Sequence, residues 1–249
     1  MDLRQLFKWT AVCSVIFAAI VLIYYVIAVA ANGFMVLSTA PLTADRIIEL
    51  AQSSGNHVNA GLDLLTYFLW IPTLVGLFVI VRVRAPGRAY VGGAFAAFAL
   101  ACFSMASVLA MVALTNAQGT TNAQGTVTEA LKQDLEMLYS IYFPLTSVGT
   151  VAVALLSLLW GLALRPQPGV SRIVGYLFLV QVALIVLMTI VSVAQLDVLA
   201  NVGFLVSCLV AIALWGYVGA LLWEASKKAE GRGAAVTVSE SERMAIPRG

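Results

Sequence analysis

The sequence predicts an all-α integral membrane protein: a bundle of six transmembrane helices with an amphipathic helix at its outer side and both termini in the cytoplasm. Three observations carry this reading. The chain of 249 residues is 61% hydrophobic and only 10% charged, whereas a soluble domain is nearer half apolar and a quarter charged. Six apolar runs are long enough to cross a hydrocarbon core about 30 Å thick, which takes about 20 residues in helix. The charges fall between those runs, leaving a mean hydropathy of +0.97. So few charges cannot cover a water-facing surface, and most of the side chains must face lipid.

The runs are residues 9–31, 62–81, 90–114, 142–164, 173–194 and 198–223. Backbone groups in lipid must be satisfied within their own segment, so each run reads as a helix; the short alternating segments of a barrel are not visible. The first run follows Arg4 and Lys8 and ends in Ala28-Val29-Ala30, in outline a cleaved leader. Its length of 23 residues exceeds the 7–15 usual for a leader core, and it is read as a retained span. Between the first two spans, Pro41 to Ser54 reads as a short amphipathic helix with Thr43 as N-cap and Gly55 as its stop, lying at the interface over the outer mouth. After the third span comes a tandem repeat, Thr115 to Thr120 and again Thr121 to Thr126 (TNAQGT twice), read as a flexible, solvated insertion. Thr128 to Tyr139 is expected to be helical and to lead into the fourth span. Beyond Trp223 the composition turns small and polar, and residues 224–249 are expected to form a flexible cytoplasmic tail with a helical start.

The connectors orient the bundle. Arg82, Arg84 and Arg88 stand between the second and third spans, and Arg165 and Arg172 between the fourth and fifth. With six spans these share a side with Arg4, Lys8 and the basic residues of the tail, so twelve of the fourteen Lys and Arg lie there; only Arg46 and Lys132 lie opposite. By the bias of cytoplasmic loops toward Lys and Arg, both termini are placed inside the cell. No basic stripe with interleaved aromatics appears, so no nucleic-acid partner is expected.

Helices in lipid associate through small residues that allow close approach. The third span carries Gly92, Ala96, and Gly93, Ala97, Ala101 at spacings of four; the sixth carries Gly203, Ser207, Ala211, then Gly216 and Ala220. These two helices are expected to be the most enclosed, and such faces also suit a membrane-protein partner or a second copy.

The deep interior of the six runs holds no Asp, Glu, Lys, Arg or His, which argues against a proton pump, a charged-ring channel or a voltage sensor. One histidine cannot supply an axial pair for haem or a di-metal cluster, and no cofactor or metal is expected. Cys13, Cys102 and Cys208 each lie inside an apolar run and read as small buried hydrophobes. His57 with Asp45, Glu49 and Asp63 has metal-ligating atoms at the spacing of no motif, so His57 reads as a solvated loop residue. No nucleophile elbow, phosphate loop, dinucleotide fingerprint or zinc-protease motif occurs, and no catalytic residue is assigned.

Polar groups gather toward the outer ends. Asp63, Tyr67 and Trp70 share a helix face at i, i+4, i+7; Tyr139, Tyr142, Thr146 and Thr150 form a similar stripe; Gln195, Asp197 and Asn201 join the last two spans. They read either as a headgroup-level belt or as the lining of an outward cavity. Gln181, near a bilayer midplane, is expected to hydrogen-bond a neighbouring helix or, less simply, a ligand. The ligand-binding candidates are therefore Asp63, Tyr67, Trp70, Tyr142, Thr146 and Gln181. Pro72 is expected to kink the second span, and Pro144 to stand where the fourth begins.

The layout resembles a bacterial membrane family known as domain of unknown function 4386. The resemblance is carried by the helix entry Asn59-Ala-Gly-Leu-Asp63-Leu-Leu-Thr-Tyr67, the basic turn Arg82 to Arg88, the linker Arg165-Pro-Gln-Pro-Gly-Val-Ser-Arg172-Ile-Val-Gly175, and Trp215-Gly216-Tyr217 in the last span. It spans roughly residues 8 to 223; the repeat at 115–126 departs from the pattern. It implies a six-span topology in a bacterial plasma (inner) membrane and no particular activity. From the residues, the foremost expectation is a non-enzymatic accessory or scaffold subunit. The alternatives are binding or transport of a lipid- or quinone-like molecule through an outward cavity, and a membrane-embedded enzyme.

Overall fold

Seven helices account for almost all of the residues that the computed structural model of the chain describes, which are 2–32, 43–123 and 129–244. They are α1 (Leu3–Asn32), α2 (Ala44–Ala51), α3 (Ser54–Arg84), α4 (Pro86–Ala123), α5 (Glu129–Leu164), α6 (Val170–Val193) and α7 (Asp197–Met244). Six of them, all but α2, are long and apolar enough to span a membrane. No strand occurs among the described residues. The all-α six-span bundle is thus the architecture observed.

The six long helices run antiparallel in chain order and close into a ring. Each packs along its length against two neighbours: α1 on α3, α3 on α4, α4 on α5, α5 on α6, α6 on α7, and α7 back on α1. Opposite helices barely meet, so the axis is filled by side chains. Toward the end marked by the basic turns it is plugged by aromatic rings meeting edge to face. Trp215 of α7 touches Phe17 of α1, Trp70 of α3 and Phe178 of α6 at centroid distances of 5.2, 5.9 and 6.3 Å. Phe178 in turn meets Trp160 of α5 at 6.4 Å. Five helices therefore contribute one ring each, in a geometry that aromatic quadrupoles favour.

Arginines tie that end together. Arg84 of α3 reaches across to donate to Ser171 Oγ of α6 at 2.8 Å, although the two helices share no backbone contact. Arg88 donates to the carbonyl of Leu162 at 3.0 Å, and Arg82 lies over the Tyr90 ring at 5.7 Å.

The opposite end carries α2 as a cap. Thr43 is its N-cap, with the hydroxyl accepting from the Arg46 N–H. Its buried face, Ala44, Ile47, Ile48 and Ala51, packs on Ala113, Leu114 and Ala117 of α4 and Leu135 of α5. Lys132 pairs with Asp45 at 3.0 Å across that contact. The amphipathic helix is as expected, but Gly55 does not end it. The helix stops at Gln52, and Gly55 lies inside the first turn of α3.

Several boundaries move because apolar packing continues past the apolar runs. α4 extends through the first copy of the repeat to Ala123: Thr115 bonds back to the Met111 carbonyl, and Ala117 is sealed under α2. The repeat is therefore not an insertion outside the helix, and its last residues, 124–126, lie outside the described segment. α5 begins at Glu129, so Pro144 is inside a helix rather than at its start. Past Trp223, α7 continues as helix to Met244 where a flexible tail is expected; residues 245–249 lie outside the description.

The small-residue helices are not the most enclosed. Half of the most apolar stretch of α5 and 44% of that of α3 are buried, against 33% for α4 and 22% for α7. Bulk explains the difference: Trp70, Leu74 and Leu77 of α3 and Leu156 and Trp160 of α5 fill the axis. The glycines of α4 give way to them, since a methyl on Gly92 would overlap the Trp160 indole. The closest backbone approach at a glycine is instead between α5 and α6, where a methyl on Gly175 would meet the Arg165 backbone at 2.5 Å.

Candidate functional site

One carboxylate sits at the centre of the polar layer above the aromatic plug. Asp63 lies on an inward stripe of α3 made by Asn59, Asp63, Tyr67 and Trp70, at the spacing that keeps helix residues on one face. The Tyr67 hydroxyl donates to Asp63 Oδ2 at 3.0 Å. Ser107 of α4 donates to the same oxygen at 2.5 Å. Asp63 Oδ1 receives no hydrogen bond from the described residues and is not sealed from access. Tyr24 of α1 and Tyr142 of α5 lie within electrostatic range of the carboxylate, and Cys208 of α7 lies within range of Tyr24. Asp63, Tyr67 and Ser107 thus form one hydrogen-bonded cluster between α3 and α4. Tyr67 also stacks on Phe103 of α4, with rings nearly parallel at 6.0 Å.

Position along the chain places Asp63 and Tyr142 at the mouths of their apolar runs. Ser107 stands five residues from the midpoint of the 90–114 run, about 7.5 Å at the helical rise, so the hydrogen bond from Ser107 ties the carboxylate inward, toward α4.

The remaining candidates separate. Trp70 is buried at 6% exposure in the plug, one turn below Tyr67, and its Nε1 has no partner. Tyr142 belongs to the polar layer. Thr146, one turn along α5, donates back to the carbonyls of Tyr142 and Phe143, so its hydroxyl proton is spent within its own helix. Gln181 was expected to bond a neighbouring helix, but its Oε1 is buried without a partner. It lies one turn from Phe178 on the face of α6 that meets the plug. Asn59, buried at 8% exposure, likewise leaves its Oδ1 unpaired one turn from Asp63.

Other outer polar residues serve the helix ends instead. His57 is not a loop residue: it lies in the first turn of α3, with Nε2 2.9 Å from the Ala51 carbonyl that ends α2. Asn201 donates to the Asp197 carbonyl, and Gln195, at φ 54°, shapes the α6–α7 turn. Among the described residues no three His, Cys, Asp or Glu side chains come together as a metal site would require.

Sequence reasoning missed Ser107, Tyr24 and Asn59 as site residues. Ser107 lies in a span whose small residues read as packing positions, and its spacing of four from Phe103 was the available sign. Tyr24 lies in an unbroken apolar run, where nothing local marks which way it points. Compared with protein-family models, curated proteins and solved structures, the chain matches none; what is established is a bundle of six apolar helices, long enough to span a membrane, with a part-buried carboxylate bonded between α3 and α4.

Proposed function

We propose that this protein binds a lipophilic small molecule, its polar end held in the axial layer around Asp63 and its entry from the outer side of the plasma membrane. The supporting observation is the asymmetry of the axis. One end is plugged by five aromatic rings and bridged by Arg84. Toward the other lie a part-buried carboxylate with one oxygen unfilled and three tyrosines. An ionisable group with an open acceptor in an otherwise apolar bundle favours a ligand. The twelve-to-two division of basic residues supports placing the plugged end in the cytoplasm. Native mass spectrometry of protein released from native lipid discs tests the reading. A small organic adduct is expected on the wild type and not on Asp63→Leu. Bare protein in both cases would overturn it.

The accessory-subunit reading is favoured by a different observation. Ala97 and Ala101, on one face of α4 with Gly93, remain exposed rather than serving the ring, and small exposed faces let a second helix approach closely. Gentle solubilisation should then yield an assembly larger than one copy, which Ala97→Phe disperses. A wild type that stays monomeric and copurifies with nothing would remove this reading.

A further inference from the structure

Resting on the ligand-binding reading above, we infer that the molecule held at Asp63 is a lipophilic amine in its protonated form, its N–H groups donating to Asp63 Oδ1.

The reasoning begins with a count of donors and acceptors. Both protein donors to Asp63, Tyr67 and Ser107, converge on Oδ2, leaving Oδ1 unfilled. The sealed polar atoms nearby do not select the ligand, since they include both acceptors, Asn59 Oδ1 and Gln181 Oε1, and a donor, Trp70 Nε1. The open oxygen of Asp63 calls for a ligand that brings a donor. A molecule offering only acceptors, such as a quinone, would leave it unfilled.

Charge narrows the class further. The basic side chains of α3 and α4 are Arg82, Arg84 and Arg88, all at the plugged end; Arg84 and Arg88 are engaged there with Ser171 and Leu162. On the other side, Lys132 is bound to Asp45 and Arg46 to Glu49. His57 stands six residues beyond Asp63 and is occupied at the Ala51 carbonyl. Within the layer itself, Tyr24, Tyr67, Ser107 and Tyr142 bring no positive charge. Aromatic rings around a carboxylate favour a cation on both counts, through the ion pair and through the ring faces. The rest of the ligand meets an apolar bundle, which accepts a hydrocarbon tail.

The test uses full-length protein in phosphatidylcholine nanodiscs and radiolabelled decylamine, with empty nanodiscs as background. Saturable binding near neutral pH is expected. It should weaken about 30-fold or more in Asp63→Asn, as for loss of one partner of a desolvated charge pair, and be largely kept in Asp63→Glu. Decyltrimethylammonium, a cation without N–H, and decanol, a donor without charge, should displace it poorly. Equal displacement by decanol would overturn the amine inference and leave the ligand-binding reading standing. Equal displacement by decyltrimethylammonium would overturn the donor argument. Binding unaffected by Asp63→Asn in a variant that elutes like the wild type would overturn the inference, and no saturable binding of any of the three would remove both readings.

Discussion

Ser107 illustrates how one hydroxyl joins two helices. It donates 2.5 Å to a carboxylate 44 residues away in the chain, and hydrogen bonds to charged groups contribute about 1.5–3 kcal/mol. Ser107→Ala should lower the stability of the detergent-solubilised protein by an amount in that range, read from thermal unfolding. The glycines give a second test at this scale. Gly92 has no room for a methyl against Trp160, whereas Gly61 faces open space. Gly92→Ala should cost about 1–3 kcal/mol as an overpacked contact, and Gly61→Ala should be neutral or slightly stabilising, because alanine is the better helix former. Nothing in the chain separates those two glycines. Both stand in apolar helices, and only the neighbour that each faces decides.

Among the elements, α2 is held by its apolar face rather than by its charges. Ile47 is wholly buried over the ends of α4 and α5, and Ile→Ala in such a setting costs about 2–5 kcal/mol. The Lys132–Asp45 pair beside it is solvated, and solvated pairs contribute little to stability. Ile47→Ala should therefore speed amide exchange across residues 44–51, while Lys132→Ala leaves it nearly unchanged. This element was readable in the chain, because a Thr N-cap and apolar positions at helical spacing are local signals. So were the six spans, which length and hydropathy define without reference to any partner. The end of α4 was not readable, since it continues as helix through the polar repeat beneath α2, whereas the start of α5 was, as a helical stretch leading into the fourth span.

At the scale of the whole molecule, the site shows the limit of a single sequence. Asp63, Tyr67 and Tyr142 could be named from spacing and from their place near span ends, but the partner that meets Asp63 from α4 could not. That pairing is set by the register of α3 against α4, which Ser107 reveals only once the helices are packed. Thr146 and Gln181 share faces with site residues, yet one is satisfied by its own backbone and the other by nothing. Topology can be tested independently of the site. Reporter tags on the two ends should signal the same compartment, the cytoplasm, and labelling of a cysteine at Gly87 should occur from that side. Tags reporting opposite compartments would mean an odd number of crossings.

The ring also has a consequence for biogenesis. Each helix from α3 to α7 leaves the ribosome just after a neighbour it will keep, so most of the bundle can zip together in order of synthesis, through contacts close in sequence. α1 is the exception at its other flank. Its Ser14 hydroxyl ends on the Trp215 carbonyl, 201 residues later. Until α7 is inserted, the first helix holds an uncovered seam, polar at Ser14, that a membrane chaperone or protease can read as unfinished. Nascent chains halted after α6 should accordingly be degraded, and supplying α7 as a separate polypeptide should rescue them.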